Sequence, residues 1–225
     1  MARRIKKSKK IILYIILSCL IVCLVDLFIK PTYLIKSIIK AILFFVIPFI
    51  LLKKRDRRQL KKMITPNKNN FFKSILLGLS LLTLILFLYF LLSDYYDFNK
   101  ILPLLRSTGI TETNFWLVCL HVSLINSLLE EFFFRGFGYL LLRKVIKKSH
   151  ACIFSGIMFG LYHITIIYDW FSIPLVILAI VGLVVLGIGL NLLDDKSSNI
   201  YNSWMSHMFV NFGINTVGLI LMGVL

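Results

Sequence analysis

Apolar residues run along this chain in long blocks rather than in the stripes of an amphipathic soluble protein. Seven blocks, at 11–29, 34–52, 71–92, 115–142, 151–167, 173–193 and 201–225, are separated by charges or by turn formers such as Pro31, Pro66-Asn67, Pro103 and Asp194-Asp195. A helix needs roughly 20 residues to cross a hydrocarbon core of about 30 Å. The pattern therefore predicts an all-α, polytopic transmembrane helical bundle of about seven spans, with six to eight compatible with the weaker blocks. The second block carries Lys36 and Lys40, which are expected to snorkel, and also Pro48; the fifth is only 17 residues long. The first block follows a basic segment, MARRIKKSKK, but is longer than a signal-peptide core and lacks a small-x-small cleavage site, so it reads as a retained span.

Composition closes off the soluble alternative. The chain has 59% hydrophobic and 16% charged residues, and ten acids with 26 bases cannot cover the surface of a 225-residue globule. The same apolar content excludes a disordered chain, four cysteines are too few for a disulfide scaffold, and twelve glycines without a three-residue period exclude collagen. Charge then sets orientation. With the N-terminus in the cytoplasm, twenty of the 26 bases fall on the cytoplasmic side, five on the other, and Arg135 within a span. This divides the chain into a basic cytoplasmic segment at 1–10, three helices with a polybasic loop at 11–114, and four helices at 115–225. Every basic cluster abuts a span, so the net charge of +16 points to anionic lipid headgroups as partners, and no nucleic acid is expected. Cys19, Cys23, Cys119 and Cys152 lie in spans without metal-type spacing and read as small buried hydrophobes.

Polar residues inside these blocks carry the candidate chemistry, because an ionisable group costs about 2.5–3.5 kcal/mol at the centre of a span on insertion scales. Asp26 reads as an interfacial partner of Lys30 four residues on, and His121 as a helix-packing hydrogen-bonding group. The fourth block holds Glu130-Glu131-Phe132-Phe133-Phe134-Arg135. Glu131 and Arg135 are i and i+4 on a helix, the acid first, so they can pair. Glu130 points about 100° away and is left without a local counter-ion, a setting suited to a general base working near neutral pH. Phe159 and His163 share one face of the fifth block, and His207 and Asn211 one face of the seventh. At about 1.5 Å per residue, His163 and Asn211 lie roughly 18 and 15 Å from the starts of their blocks, so the three sets can share one buried chamber.

Glu-Glu-x-x-x-Arg at 130–135, Phe-x-x-x-His at 159–163 and His-x-x-x-Asn at 207–211, in that order on separate spans, resemble the CAAX-protease and bacteriocin-processing family of intramembrane proteases, which includes Abi-type immunity proteins. The resemblance covers about 115–225. It implies that Glu130 and His163 activate water for attack on a peptide carbonyl, that His207 and Asn211 stabilise the oxyanion, and that Glu131, Arg135 and Phe159 support the site. Cofactor use stays open: a divalent metal such as zinc could take Glu130, His163 and His207, yet there is no HExxH and only four histidines occur. The expected protein is a multi-pass endopeptidase of a bacterial cell membrane, acting on a membrane-associated peptide in peptide maturation or bacteriocin self-immunity. Two other classes compete with it: a non-catalytic immunity or partner-binding protein, and an ion-coupled transporter with buried relay groups.

Overall fold

The computed structural model describes residues 2–65 and 71–225, with side chains from Arg4 onward, so the expected turn at Pro66-Asn67 lies outside the described residues. Helices α1 (Arg4–Ile29), α2 (Tyr33–Leu51), α4 (Phe71–Leu92), α6 (Phe115–Lys144), α7 (Lys148–Ile167) and α8 (Ile173–Ser197) are long and apolar enough to cross a membrane. A short amphipathic helix α3 (Lys54–Ile64) lies between the second and third of these, α5 (Ile101–Ser107) follows the third, and α9 (Tyr201–Leu221) closes the bundle. All described regular structure is helical, as the block pattern predicts. The protein is an integral membrane protein. Large apolar side chains such as Leu76, Phe87 and Phe90 of α4 and Ile177, Leu178 and Val185 of α8 point outward, where lipid replaces water as the neighbour.

Local chemistry sets the boundaries. Helix α1 takes in the basic segment, its regular part beginning at Ala2, and ends at Lys30 in a left-handed turn just before Pro31. Helix α8 runs through Asp194-Asp195, expected to mark its end, because both carboxylates find partners: Asp194 accepts from the Ser203 amide and hydroxyl, and Asp195 from Tyr139 and Arg143. It stops at Ser198, which adopts the left-handed conformation. In α3, Leu60 and Met63 turn inward, while Lys54, Arg55, Arg58, Lys61 and Lys62 remain exposed. The seventh expected span forms as a helix but ends four residues early, at Leu221, and is too polar to qualify as a span on composition. Asn202, Ser203, Ser206, His207, Asn211 and Asn215 interrupt it.

Helix α6 is the hub. Its segment Phe132–Leu142 is buried throughout and meets Ile11 and Ile15 of α1, Phe44 of α2, Leu60 of α3, and Phe159 and Tyr162 of α7 in one apolar core. The Phe44 and Phe133 rings stack with centroids 4.1 Å apart, which fixes α2 against α6. Helix α9 lies along α4, with Phe209 over Gly78 and Gly213 against Leu82 and Ile85. Three of its polar side chains donate to α6: the Trp204 indole to Leu124 O, Asn211 to Val122 O, and Asn215 to Cys119 O and Ser123 Oγ.

Helices α7 and α8 approach through small residues. Gly156, Gly160 and Gly187 line the contact in the small-xxx-small manner of membrane helices. A methyl group at Gly160 would stand 2.4 Å from Val184 Cγ2 and 3.1 Å from Ile180 O, so the backbone itself blocks accommodation. Gly160→Ala is therefore expected to destabilise the purified protein by about 1–3 kcal/mol, the usual cost of overpacking. Gly182→Ala, facing open space, is expected to leave the melting midpoint in detergent unchanged or higher. Equal midpoints for the two variants would contradict this packing.

Candidate functional site

Backbone geometry prepares the site before any side chain does. Around Glu130 and Glu131, α6 departs from regular α-helix: i→i+5 bonding spans His121–Asn126 on one side and Phe132–Leu141 on the other, leaving Ser127–Glu131 as a short α-helical island. Such widened turns recur at functional positions in helices. The two acids leave this island in different directions, as their adjacency predicts. In α7, the helix tightens at His163, whose amide bonds to Gly160 O three residues back before α-helical turns resume at Ile164–Ile167.

Glu131 faces His207 and Arg135. Its Oε1 lies 2.8 Å from His207 Nδ1, and its Oε2 3.1 Å from Arg135 Nε, the expected i, i+4 pair. The Arg135 contact is one of charge rather than an aligned hydrogen bond. The arginine is completely buried, and its guanidinium lies 4.0 Å from the centre of the Phe159 ring, so an aromatic face supplies part of the stabilisation that water would give. Phe159 also meets the rings of His163 and His207 edge-on.

Glu130 reads differently from expectation. It has a counter-ion: Lys40 of α2, whose Nζ stands 2.8 Å from Oε1. Asn126 Nδ2 donates to the same oxygen at 2.9 Å, and the Tyr162 hydroxyl at 3.2 Å. Lys40 is buried and does not snorkel, and it also bonds Asn126 Oδ1. The expected Asp26–Lys30 pair is likewise replaced: Asp26 pairs with Lys36 at 2.7 Å and accepts from Thr165. The physical reason is common to both. A lysine held inside a span is costly to desolvate, and a buried acid within reach offsets part of that cost for both charges. His121 packs as expected, its Nδ1 2.6 Å from the Tyr33 hydroxyl.

Three sequence candidates converge. Glu130 Oε2 lies 3.7 Å from His163 Nε2 and 4.0 Å from His207 Nε2. Each imidazole is oriented by its other nitrogen, but by different partners: His163 Nδ1 donates to the Phe159 carbonyl at 2.7 Å, and His207 Nδ1 to the Glu131 carboxylate. A carbonyl only accepts, so His163 carries its proton on Nδ1 and offers Nε2 as an acceptor. The far side of the His207 ring, by contrast, meets a carboxylate, that of Glu131. Glu130 and His207 are nearly sealed, whereas the His163 side chain is 15% exposed and marks where the site meets the surface of the bundle. Asn211, one turn beyond His207, spends an N–H on Val122 O at 3.1 Å, which ties it across the α6–α9 seam rather than to Glu130.

One carboxylate and two imidazoles are a zinc-type donor set, but as placed they do not fit a metal centre. Bonds of about 2.0 Å in tetrahedral geometry require donors roughly 3.3 Å apart, closer than the 3.7 and 4.0 Å seen. Lys40 moreover already neutralises the carboxylate that would have to face a dication. Among the described residues, no group of three or more His, Cys, Asp or Glu is assembled to hold a metal ion.

Lys40, Asn126 and Tyr162 are the site residues that motif reading missed. Each left a signal: a lysine in an apolar block with no acid in helical reach, an amide four residues before Glu130, and a hydroxyl beside His163.

A protein-family model described as Type II CAAX prenyl endopeptidase Rce1-like matches residues 112–213. That segment contains all three motifs and leaves Lys40 outside it. Neither the curated proteins nor the solved structures compared with the chain yield a match.

Removing one partner of a buried ion pair strands the other charge, which costs about 3–5 kcal/mol. Arg135→Met is therefore expected to lower the melting midpoint of the detergent-purified protein severely. Arg135→Lys is expected to restore little, because an ammonium cannot stack its face on Phe159. A wild-type midpoint for Arg135→Met would remove the clamp role of the Glu131–Arg135–Phe159 set.

Proposed function

We propose that the chain, which matches the Rce1-like CAAX prenyl endopeptidase family model over residues 112–213, is an intramembrane endopeptidase in which Glu130 and His163 activate a water molecule to cut a peptide bond inside the bundle. The observation that carries this reading is the meeting of Glu130 Oε2 with the Nε2 atoms of two differently anchored histidines. In the proposed reaction, water is oriented by the His163 Nε2 acceptor and attacks the scissile carbonyl carbon while a proton passes to Glu130 Oε2. The carbonyl electron pair moves onto oxygen. A doubly protonated His207, balanced by Glu131, donates to that oxyanion together with the remaining Asn211 N–H. The proton held on Glu130 then passes to the amine nitrogen as the C–N bond breaks. Glu131, Arg135 and Phe159 hold the two histidines in place.

The proposed substrate is a membrane-associated peptide or protein reaching the site beside His163, and the proposed setting is a bacterial membrane, in peptide maturation or bacteriocin self-immunity. The exposed bases of α3 would hold anionic lipid headgroups at the membrane surface. We propose catalysis without a bound metal, which the Lys40–Glu130 ion pair and the donor spacing support.

The test reconstitutes the full chain in phosphatidylglycerol-containing vesicles with two quenched-fluorescent peptides, one ending in a prenylated Cys–aliphatic–aliphatic–X sequence and one an unprenylated amphipathic peptide. Cleavage of at least one is expected, unchanged by chelator. Glu130→Gln and His163→Ala are expected to lower it by about 10²–10⁴-fold, with membrane insertion retained. Undiminished cleavage by Glu130→Gln overturns the reading, and loss of activity on chelation with recovery on adding zinc overturns its metal-free form.

A further inference from the structure

We propose that Lys40, on α2 and outside the matched segment, is the positioning residue that decides which oxygen of Glu130 faces the reacting atoms. The proposal rests on the endopeptidase reading and deepens it. A carboxylate has two equivalent oxygens that exchange when it rotates, so a general base on a flexible glutamate needs something to break that equivalence. Here the asymmetry is complete: Lys40 Nζ at 2.8 Å, Asn126 Nδ2 at 2.9 Å and the Tyr162 hydroxyl at 3.2 Å all converge on Oε1. Oε2 instead faces the Nε2 atoms of His163 and His207. Donors on one oxygen thereby present the other one for proton transfer.

Lys40 is the charged member of this trio and the keystone of its geometry. Its ammonium bonds Asn126 Oδ1 as well as Glu130, which orients the amide so that Nδ2 points at Oε1. It also lies 5.2 Å from the centre of the Tyr162 ring, the third donor. The backbone of α2 is held by the Phe44–Phe133 stack one turn further on. Lys36, one turn earlier, is neutralised by Asp26 and does not compete for Glu130. Three helices thus meet at one carboxylate oxygen: α2 through Lys40, α6 through Asn126 and α7 through Tyr162. Misplacement of a reacting group by about 1 Å can cost on the order of 10²-fold in rate.

The experiment measures kcat and KM of Lys40→Met, Lys40→Arg and Tyr162→Phe on whichever of the two peptides the wild-type chain cleaves, beside thermal melting of Lys40→Met, Glu130→Gln and their double variant. Lys40→Met is expected to lower kcat by about 10²-fold with KM within about threefold, because the group acts through Glu130 and not on substrate. Lys40→Arg is expected to recover at least tenfold of that loss, and Tyr162→Phe to lower kcat several-fold. In melting, each single variant is expected to lose stability and the double variant to lose less than their sum, since it removes both charges.

A wild-type kcat for Lys40→Met, or a raised KM at unchanged kcat, overturns the proposal while a dead Glu130→Gln still upholds the endopeptidase reading. An active Glu130→Gln sinks that reading and this one together. Should Lys40→Met fail to fold, Lys40→Arg and Tyr162→Phe carry the kinetic arm, and wild-type kcat in both overturns the proposal. Should neither peptide be cleaved by wild type, the melting cycle decides whether the pair exists, and additive losses overturn it.

Discussion

Two carboxylates side by side in an apolar helix cannot both be compensated from one direction. Successive residues on a helix diverge, so Glu130 and Glu131 must find positive or polar partners on different neighbours. Much of the bundle follows from meeting that demand. Glu131 turns to Arg135 and His207 and so commits α9 to α6. Glu130 turns to Lys40, Tyr162 and His163 and so commits α2 and α7. The apolar core around Phe44, Phe133, Phe134 and Phe159 then excludes water from these contacts, which strengthens each of them in a low-dielectric setting.

Within that frame the two histidines are chemically unequal, although each approaches Glu130 with the same nitrogen. The partner on the far side of the ring distinguishes them. A backbone carbonyl behind His163 suits a ring that accepts at Nε2; a carboxylate behind His207 sets a negative charge against the far side of that ring. A hydrolytic step needs one group of each kind, one to draw a proton from the nucleophile and one to meet the charge that appears on the carbonyl oxygen. The inequality arises from contacts one atom removed from the centre itself.

Much of this was legible in the residues. Block lengths set the helical class and most span boundaries, and the i, i+4 spacing of Glu131 and Arg135 anticipated their pairing. Motif order brought together Glu130, His163 and His207 across some 80 residues of chain. Reading failed where partners were distant in sequence and unremarkable in type. Lys40 is 90 residues from Glu130, and a lysine near the start of an apolar block ordinarily reads as a snorkelling end group. Two unmatched charges, one cation and one acid, each without a local partner, were the available clue. Asp194-Asp195 misled in the opposite sense, because acids that mark a helix end in water continue the helix here once Ser203, Tyr139 and Arg143 receive them. No periodicity announces the widened turns of α6, which arise from packing around the two acids.

The polarity of α9 has a consequence for how the protein is made. A segment interrupted by six asparagine, serine and histidine positions gains little from entering lipid by itself, and Trp204, Asn211 and Asn215 bond Leu124, Val122, Cys119 and Ser123 of α6. Its entry into the bilayer is therefore an act of assembly. The last helix packs along α4 and α6, and it is this docking that carries His207 to Glu130 and Glu131.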